Sequence, residues 1–431
     1  MRANTSCRLG VAGAAAVAAL SISVAMAEDP YPVDWTRIIE STLSIRSLSV
    51  AADAVGGVYI GGTDWDEDFP SPPPDSFLMR YDSAGNQAWS RQITTTEGVI
   101  LTSVAGDGSG GVYAAGSTQG PLGGQASTGV DEPFLLRYDA TGNLLWARVF
   151  GTGDGDLGLS VASDGAGNAY VCGFTPGDMY GTNQGGFDVF LAKYDSSGDQ
   201  QWVRQFGGTG FEEGRSVAVD AAGNAYVTGY TTGELAASPS AGGYDAYLAK
   251  YDASGNQQWV RQWGAEGTDM GEEVAADSQG FAYVFGQADD VDLFVRKYDG
   301  AGNLVWEADV STPQADVARS IAIDEDGNVL LSGRTNGEFD GERSDWRCNA
   351  FLAKLDESGE MKWGELWGTQ EREESADGVA TDPWGNVYLS GWIAGGNDVA
   401  DAFLVKYTPE PASAALLALG GLALLRRRRA A

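Results

Sequence analysis

The chain has no histidine among its 431 residues. This absence removes the commonest general base of enzymes, the Ser–His–Asp and Cys–His arrangements, and the usual side-chain ligand of transition metals. Carboxylate chemistry such as glycoside hydrolysis needs only two acids at a suitable separation, so it stays open. No pair stands out among the 60 acidic residues. Histidine-dependent enzyme classes are therefore excluded.

Cysteines and basic residues are also few. The three cysteines, at positions 7, 172 and 348, show no zinc-site spacing, and no disulfide is expected between repeats that lie far apart. Lysine and arginine total 27 against 60 acids, for a formal net charge of −33. Nucleic acid and anionic lipid are poor partners for such a surface. Cations, neutral glycans and basic proteins remain as partners, and solubility alone also explains the charge.

Long apolar runs are confined to the two ends of the chain. Residues 1–27 contain Arg2 and Arg8, an apolar run, and then Ala25–Met26–Ala27, which is the pattern of a signal peptide cleaved after Ala27. The other end reads T-P-E-P, then largely apolar residues 412–425, then Arg426–Arg429. That run is short for a stable membrane span. The arginines behind it would hold the end in the cytoplasm.

This C-terminal tail resembles the PEP-CTERM sorting signal of Gram-negative bacteria. The resemblance implies that residues 409–431 form a short transmembrane segment with a basic end, recognised by an exosortase-type processing protease and cleaved near Pro409–Pro411. We therefore expect an exported protein that is anchored transiently in the inner membrane and then reaches the cell surface or the extracellular space. An ordinary tail anchor or a core helix is the alternative, although a core helix would not end in four arginines.

The dominant feature of the chain is a repeat. The half-motif V-A-x-D-x-x-G-x-x-Y-x-x-G occurs seven times, with its aspartate at Asp53, Asp107, Asp164, Asp220, Asp277, Asp324 and Asp382. A second half-motif, F-L-x-K/R-Y-D-x-x-G-N-x-x-W, follows each copy, and six copies reach a tryptophan: Trp89, Trp146, Trp202, Trp259, Trp306 and Trp363. The seventh stops at FLVKYTPEP, and its W-x-R part stands near the N-terminus at Trp35 and Arg37. A period of this length signals a repeat architecture.

Each repeat contains four strand candidates joined by D-x-x-G turn signatures. We therefore predict an all-β fold over residues 28–408: a seven-bladed β-propeller with four antiparallel strands per blade, its last blade closed by the N-terminal strand. The recurrent aromatic residues are expected to pack between blades. The domain is expected to be monomeric.

The residues also resemble two known repeat families. The combination of Gly62–Thr63, Asp68–Phe69–Pro70, D-x-F-L-A-K-Y-D and S-V-A-x-D-x-x-G-N-x-Y-V-x-G resembles the bacterial propeller repeat called SBBP, over roughly residues 33–407. This implies the fold and an extracytoplasmic setting, but no particular activity. D-x-x-G-N-x-x-W is also similar to the tryptophan-docking repeat of pyrroloquinoline-quinone dehydrogenases. Seven copies and no adjacent cysteine pair favour a packing role for the tryptophan instead.

One repeated position suggests a metal site. Eight residues before the motif aspartate, five repeats carry an acid: Asp156, Glu212, Asp269, Asp316 and Glu374. Ile45 and Val99 stand there in the first two repeats. At the crossover between blades, these acids would form an incomplete ring near one mouth of the central channel, thickened by Glu213, Glu272, Glu273, Glu373 and Asp377. Such a ring would hold Ca²⁺ or another hard cation. The alternative is that each acid caps its own crossover turn.

The loops between second and third strands vary most, from DWDEDFPSPPP (64–74) to QADDV (287–291), and lie on the same face as that ring. Variable loops on a rigid scaffold commonly bind ligands. Their aromatic residues would stack on sugar rings or anchor the loops: Trp65, Tyr180, Phe187, Tyr244 and Trp346. The sequence thus predicts a non-catalytic binding or scaffold module for polysaccharide or a surface protein. The alternative is a carboxylate-dependent polysaccharide hydrolase or lyase.

Overall fold

A computed structural model describes residues 31–409, apart from 41–43, 66–73, 236–239, 241, 290–291, 340–341, 344–347, 369–371 and 395–399. The predicted signal peptide and almost all of the predicted sorting tail lie outside the described residues. The described part is built of strands, with no helix. Accordingly, it offers no helix of the length and apolarity that a membrane crossing requires.

Seven sheets of four antiparallel strands form seven blades. The strands of the first three are, in blade 1, β2 (Ser44–Ala52), β3 (Val58–Trp65), β4 (Ser76–Tyr81) and β5 (Gln87–Ile93); in blade 2, β6 (Val99–Gly106), β7 (Val112–Thr118), β8 (Glu132–Tyr138) and β9 (Leu144–Val149); in blade 3, β10 (Leu157–Ser163), β11 (Ala169–Thr175), β12 (Asp188–Tyr194) and β13 (Gln200–Phe206).

The remaining blades follow the same order. They are, in blade 4, β14 (Glu212–Val219), β15 (Ala225–Thr231), β16 (Asp245–Tyr251) and β17 (Gln257–Trp263); in blade 5, β18 (Met270–Ala276), β19 (Ala282–Ala288), β20 (Asp292–Tyr298) and β21 (Leu304–Asp309); in blade 6, β22 (Asp316–Ile323), β23 (Val329–Thr335), β26 (Asn349–Leu355) and β27 (Met361–Trp367); in blade 7, β28 (Glu374–Thr381), β29 (Val387–Ala394), β30 (Ala400–Tyr407) and β1 (Val33–Ile39). A small hairpin, β24 (Glu338–Phe339) with β25 (Glu342–Arg343), lies in a blade 6 loop.

The blades close into a ring. The first strand of each blade contacts the first strands of both neighbours, and β28 of blade 7 contacts β2 of blade 1. These strands therefore surround the central axis. The predicted seven-bladed propeller is confirmed. Cys172 is buried in β11, and both described cysteines are free.

The N-terminal strand completes the seventh blade, as predicted. β1 pairs antiparallel with β30, which places Trp35 opposite Lys406 and Ile38 opposite Phe403. Just beyond this pairing, the Thr408 amide donates to the Pro32 carbonyl at 3.1 Å. The two ends of the described chain therefore leave the ring side by side.

An aromatic pair recurs in every blade. A tyrosine and a tryptophan pack with ring centroids 5.7–6.3 Å apart: Tyr59–Trp89, Tyr113–Trp146, Tyr170–Trp202, Tyr226–Trp259, Tyr283–Trp306, Tyr31–Trp363 and Tyr388–Trp35. Most of these tryptophans donate to the next blade, as Trp202 Nε1 does to the Ala253 carbonyl at 3.1 Å. The pairs thus join neighbouring blades, which confirms the packing role predicted for the tryptophans.

Blade 6 obtains its tyrosine from the N-terminus. Leu330 stands where other blades have the motif tyrosine, and Tyr31 packs on Trp363 in its place and accepts a 2.8 Å hydrogen bond from Lys354 Nζ. Trp363 Nε1 has no hydrogen-bond partner within the described ranges. The reason is that blade 7 has no turn between its third and fourth strands, where the chain ends lie. The N-terminal segment therefore serves two blades.

Candidate functional site: the crossover face

The crossovers between blades and the loops between second and third strands share one face, which we call the crossover face. Backbone bonds join them: the Asp156 amide donates to the Asp131 carbonyl at 2.9 Å, and the Asp269 amide to the Tyr244 carbonyl at 2.8 Å. The D-x-x-G turns and the chain ends lie on the opposite face, the turn face. The crossover face carries both the predicted ring of acids and the variable loops.

The five acids of the predicted ring are buried in their own turns, none more than 6% exposed. Four accept a hydrogen bond from the backbone amide four residues earlier: Thr152 N to Asp156 at 2.5 Å, Gly208 N to Glu212 at 2.7 Å, Ala265 N to Asp269 at 2.7 Å and Thr312 N to Asp316 at 2.5 Å. Glu374 packs against Gly368 at the corresponding turn. The contacts are those of turn caps.

The structure does not bring these acids together. Within the described ranges, no three Asp, Glu, Cys or His side chains are grouped closely enough to hold a metal ion. Burial raises the pKa of the carboxyls of Glu212, Asp269 and Asp316. The calcium ring stays a prediction, and capping is the role that the described contacts support.

A comparison of salts at matched ionic strength distinguishes the two roles. Because each carboxylate is used within its own turn, we expect NaCl and CaCl₂ to change the melting temperature equally, through screening of the negative charge. The measurement is a thermal melt of the protein and of a variant with Asp156→Asn, Glu212→Gln and Asp269→Asn. A rise specific to calcium and lost in the variant would instead establish the ring.

At the position five residues before the motif aspartate, basic and acidic residues alternate over the first strands of blades 4 to 7. The residues there are Leu48, Thr102, Leu159, Arg215, Glu272, Arg319 and Asp377. Arg215 forms an ion pair with Glu272 of the next blade, and Arg319 Nε lies 3.5 Å from Asp377. We predicted the two acids as part of the ring but missed the arginines. Pairing of these partly buried charges ties blades 4 to 5 and 6 to 7.

One residue further along, serines join the inner strands of neighbouring blades; blade 7 has Gly378 there instead. Ser49, Ser103, Ser160, Ser216 and Ser320 each accept a hydrogen bond of 3.0–3.2 Å from a backbone amide of the following blade. In blade 5 the residue is Glu273, whose carboxylate accepts from the Ile321 amide at 2.5 Å. Burial raises the pKa of Glu273 to about 7. This position therefore titrates near neutral pH.

Glu273→Ser should flatten the pH dependence of stability. The unfolded glutamate ionises near pH 4.5 and the folded one near 7, so the free energy of unfolding falls as pH rises between these values and stays low above them. The loss is at most about 3 kcal/mol, reduced by solvent at this half-buried position. Denaturant titrations from pH 4 to 8 should show this fall in the wild type and a smaller fall in Glu273→Ser, where only the raised carboxyls elsewhere, such as Glu212, Asp269 and Asp316, still contribute. Glu360→Ser, at an exposed acid, is the matched control; a fall that Glu273→Ser leaves unchanged would exclude Glu273 as its source.

Blades 3 and 4 carry five aromatic residues in sequence along the crossover face, which we call the aromatic arc: Phe174, Phe187, Phe211, Tyr230 and Tyr244. The ring centroids of Phe187 lie 4.9 Å from Phe174 and 5.4 Å from Phe211, and those of Tyr230 and Tyr244 lie 4.6 Å apart. Phe211 is 52% and Tyr244 39% exposed. In each of the other five blades, the residue after the second-strand motif glycine and the residue just before the third-strand acid or amide are not both aromatic. The arc thus consists of two ring clusters, Phe174–Phe187–Phe211 and Tyr230–Tyr244.

The structure describes the side chains of three of the five aromatic residues that the sequence predicted as sugar-stacking candidates. Tyr244 and Phe187 belong to the arc, and Tyr180 is 60% exposed on the neighbouring loop. The side chain of Trp65 and all of Trp346 lie outside what the structure describes. Sequence reasoning missed Phe211, because it lies in a crossover and not in a variable loop.

Comparison with known proteins supports the repeat family. Residues 201–236 and 310–340 match the family model of the SBBP beta-propeller repeat. The regulatory protein FlaEY of Caulobacter vibrioides is 34% identical over 192 residues, which covers 40% of this chain but 20% of that protein. An uncharacterized WD repeat-containing protein of Acanthamoeba polyphaga mimivirus is 26% identical over 176 residues, 34% of this chain and 13% of that one. The chain thus spans a minor part of these relatives.

A solved structure shows the same architecture. A protein of unknown function from Dyadobacter fermentans superimposes with a TM-score of 0.52, at 10% identity, over 88% of this chain and all of that one. At this identity the likeness concerns the fold alone. The protein is a seven-bladed β-propeller, and its residues 201–236 and 310–340 match the SBBP repeat.

Proposed function

We propose that this protein is an exported, non-catalytic β-propeller that acts as a binding or scaffold module at the cell surface or in the extracellular matrix, with polysaccharide or protein partners. The supporting observation is that the residues that stabilise the ring and the exposed aromatic residues occupy different parts of the molecule. Residues that recur in every blade hold the ring together, while the exposed aromatic residues Tyr180, Phe211 and Tyr244, which are not shared by every blade, lie on the crossover face. Such a division is typical of a scaffold that presents a binding surface.

The motif aspartates illustrate the structural half of this division. Asp53 accepts hydrogen bonds from the amides of Val55 and Gly57 in its own turn and pairs with Arg80 at 2.8 Å. Asp107 pairs with Arg137 at 2.7 Å, and Asp324 with Lys354 at 2.8 Å. These carboxylates stabilise turns and strand pairs, and their contacts are not those of a general acid or base.

The position of the chain ends supports an orientation. Thr408, which leads into the sorting tail, contacts Pro32 on the turn face. If the tail anchors the protein as proposed, the turn face lies towards the membrane. The crossover face then points away from it, towards the partners.

One observation favours the catalytic alternative. Asp64 and Asp75, at the ends of neighbouring strands, line a cavity of about 420 Å³ between blades 7 and 1, and burial raises the pKa of Asp75. Two carboxyl groups beside one cavity are what carboxylate-dependent glycoside hydrolysis requires. The cavity is therefore the place where such an activity would lie.

A glycan array and a pull-down with the full chain, followed by analysis of soluble sugars, test the proposal. Binding without turnover supports a module. Release of soluble sugar products, lost in Asp64→Asn or Asp75→Asn, would replace it with the enzyme. Absence of both glycan and protein binding would contradict the proposal.

A further inference from the structure

We propose that the crossover face of blades 3 and 4 is a carbohydrate-binding site for neutral sugars, formed by the aromatic arc and the cavity beside it. This inference rests on the proposed function and specifies its ligand class.

The arc is exposed yet held in place. Phe211 N donates to Thr232 Oγ1 at 2.8 Å, and Thr232 N returns a 3.0 Å bond to the Phe211 carbonyl. The Phe211 ring packs on Phe187, and the absence of a side chain at Gly186 leaves room for it. Exposed apolar rings rimmed by polar residues mark binding surfaces. A ring fixed before binding also loses little conformational freedom when a ligand stacks on it.

A polar cavity adjoins the arc. It has a volume of about 410 Å³ and is lined by Gln184, Thr209, Thr232, Glu234 and Ser240, with backbone from Gly208 and Gly233. The volume is within the roughly 300–1,000 Å³ of small-molecule sites. Ser240 Oγ is buried without a hydrogen-bond partner among the described residues. Thr232 lines the cavity and also accepts the hydrogen bond from the Phe211 amide, so the cavity lies beside the backbone that positions the arc.

Amide, hydroxyl and carboxylate groups beside aromatic faces suit a sugar. The hydroxyls of a pyranose ring exchange hydrogen bonds with such groups, while its C–H face packs on an aromatic ring. No lysine or arginine lines the cavity. Arg215, whose guanidinium lies 5.3 Å from the Tyr230 ring centroid, is paired with Glu272. With a net charge of −33, the protein disfavours polyuronates, so the ligand class is a neutral glycan.

Affinity electrophoresis of the full chain tests this inference, with barley β-glucan, galactomannan and xylan as neutral probes and alginate as the acidic probe. We expect at least one neutral polymer to retard the protein and alginate not to do so. The double variant Phe211→Ala/Tyr244→Ala should weaken retardation at least tenfold. Tyr244→Phe alone, which keeps the ring, should retain binding. Trp384→Ala is the matched control, since Trp384 is 56% exposed but lies on the turn face.

Three results would overturn the site. They are no retardation by any neutral probe, retardation that the double variant leaves unchanged, and equal loss in Trp384→Ala. A cooperative melt of the double variant that stays well above the temperature of the binding assay shows that a loss of binding is not unfolding. If the neutral probes fail but the pull-down recovers a protein partner through the crossover face, the carbohydrate site is wrong and the binding module stands.

Discussion

Deleting residues 31–39 should destabilise the whole ring instead of fraying one blade. The deletion removes β1, so the edge of β30 loses its partner strand. It also removes Trp35, whose indole donates to the Ser83 carbonyl of blade 1 at 3.2 Å, and Tyr31, which packs on Trp363 of blade 6. Contacts of three blades are thus lost together. We expect a lower melting temperature, a broadened transition and aggregation through the exposed strand edge.

Single substitutions give the scale of this effect. Replacing a buried aromatic residue by alanine costs about 3–5 kcal/mol, and a half-buried one less. Tyr31→Ala and Trp35→Ala should each lower the free energy of unfolding by about 2–4 kcal/mol, out of a total of roughly 5–15 kcal/mol for a typical protein. Circular dichroism melts and denaturant titrations measure both quantities.

Two side chains of the same strand provide matched controls. Val33 is 51% and Ile38 45% exposed, so Val33→Ala and Ile38→Ala should change stability by about 0.5 kcal/mol or less. A deletion variant that melts cooperatively at the wild-type temperature would show that β1 does not close the ring. Equal effects of Tyr31→Ala and Val33→Ala would remove the role of Tyr31 in blade 6.

The fold could be predicted from the sequence because its determinants repeat. The aspartate of each D-x-x-G turn and the tryptophan of each fourth strand recur in phase, so the strand pattern deduced for one blade applies to all seven. The split copy at Trp35 and Arg37 gave the closure of the ring. These features are local or periodic, and both kinds of feature can be recognised in the sequence.

Departures from the repeat could not be predicted in this way. In blade 6, Leu330 stands at the position of the motif tyrosine, and Tyr31 packs on the tryptophan in its place. The two residues lie far apart in sequence, and Tyr31 belongs to no repeat copy. Arg215 and Arg319 stand where neighbouring repeats have leucine, threonine or an acid, so no pattern marks them as partners of Glu272 and Asp377. The aromatic arc likewise depends on Phe211, whose neighbours are set by the packing of two blades.

Alanine at Pro409, Glu410 and Pro411 should block release of the protein and leave the uncleaved chain in the inner membrane. We base this on the proposed sorting signal, and the fold adds a physical condition. β30 ends at Tyr407, and Thr408 is still hydrogen-bonded to Pro32. The proposed cleavage site therefore follows the ring almost without a linker. A processing protease must then act beside the turn face. The residues on that face then determine whether the protease can reach the cleavage site.

Cell fractionation and immunoblotting in a Gram-negative host that carries an exosortase measure the outcome. The wild type should appear as a shortened form outside the inner membrane, and the triple variant as the longer form within it, because the short apolar segment and its arginines remain attached. The control is Glu325→Ala/Asp326→Ala, which removes two exposed acids from the turn face but leaves the tail intact. Normal release of the triple variant would show that these three residues are not a sorting signal. Retention of the control as well would assign the defect to the charge of the turn face instead of the tail.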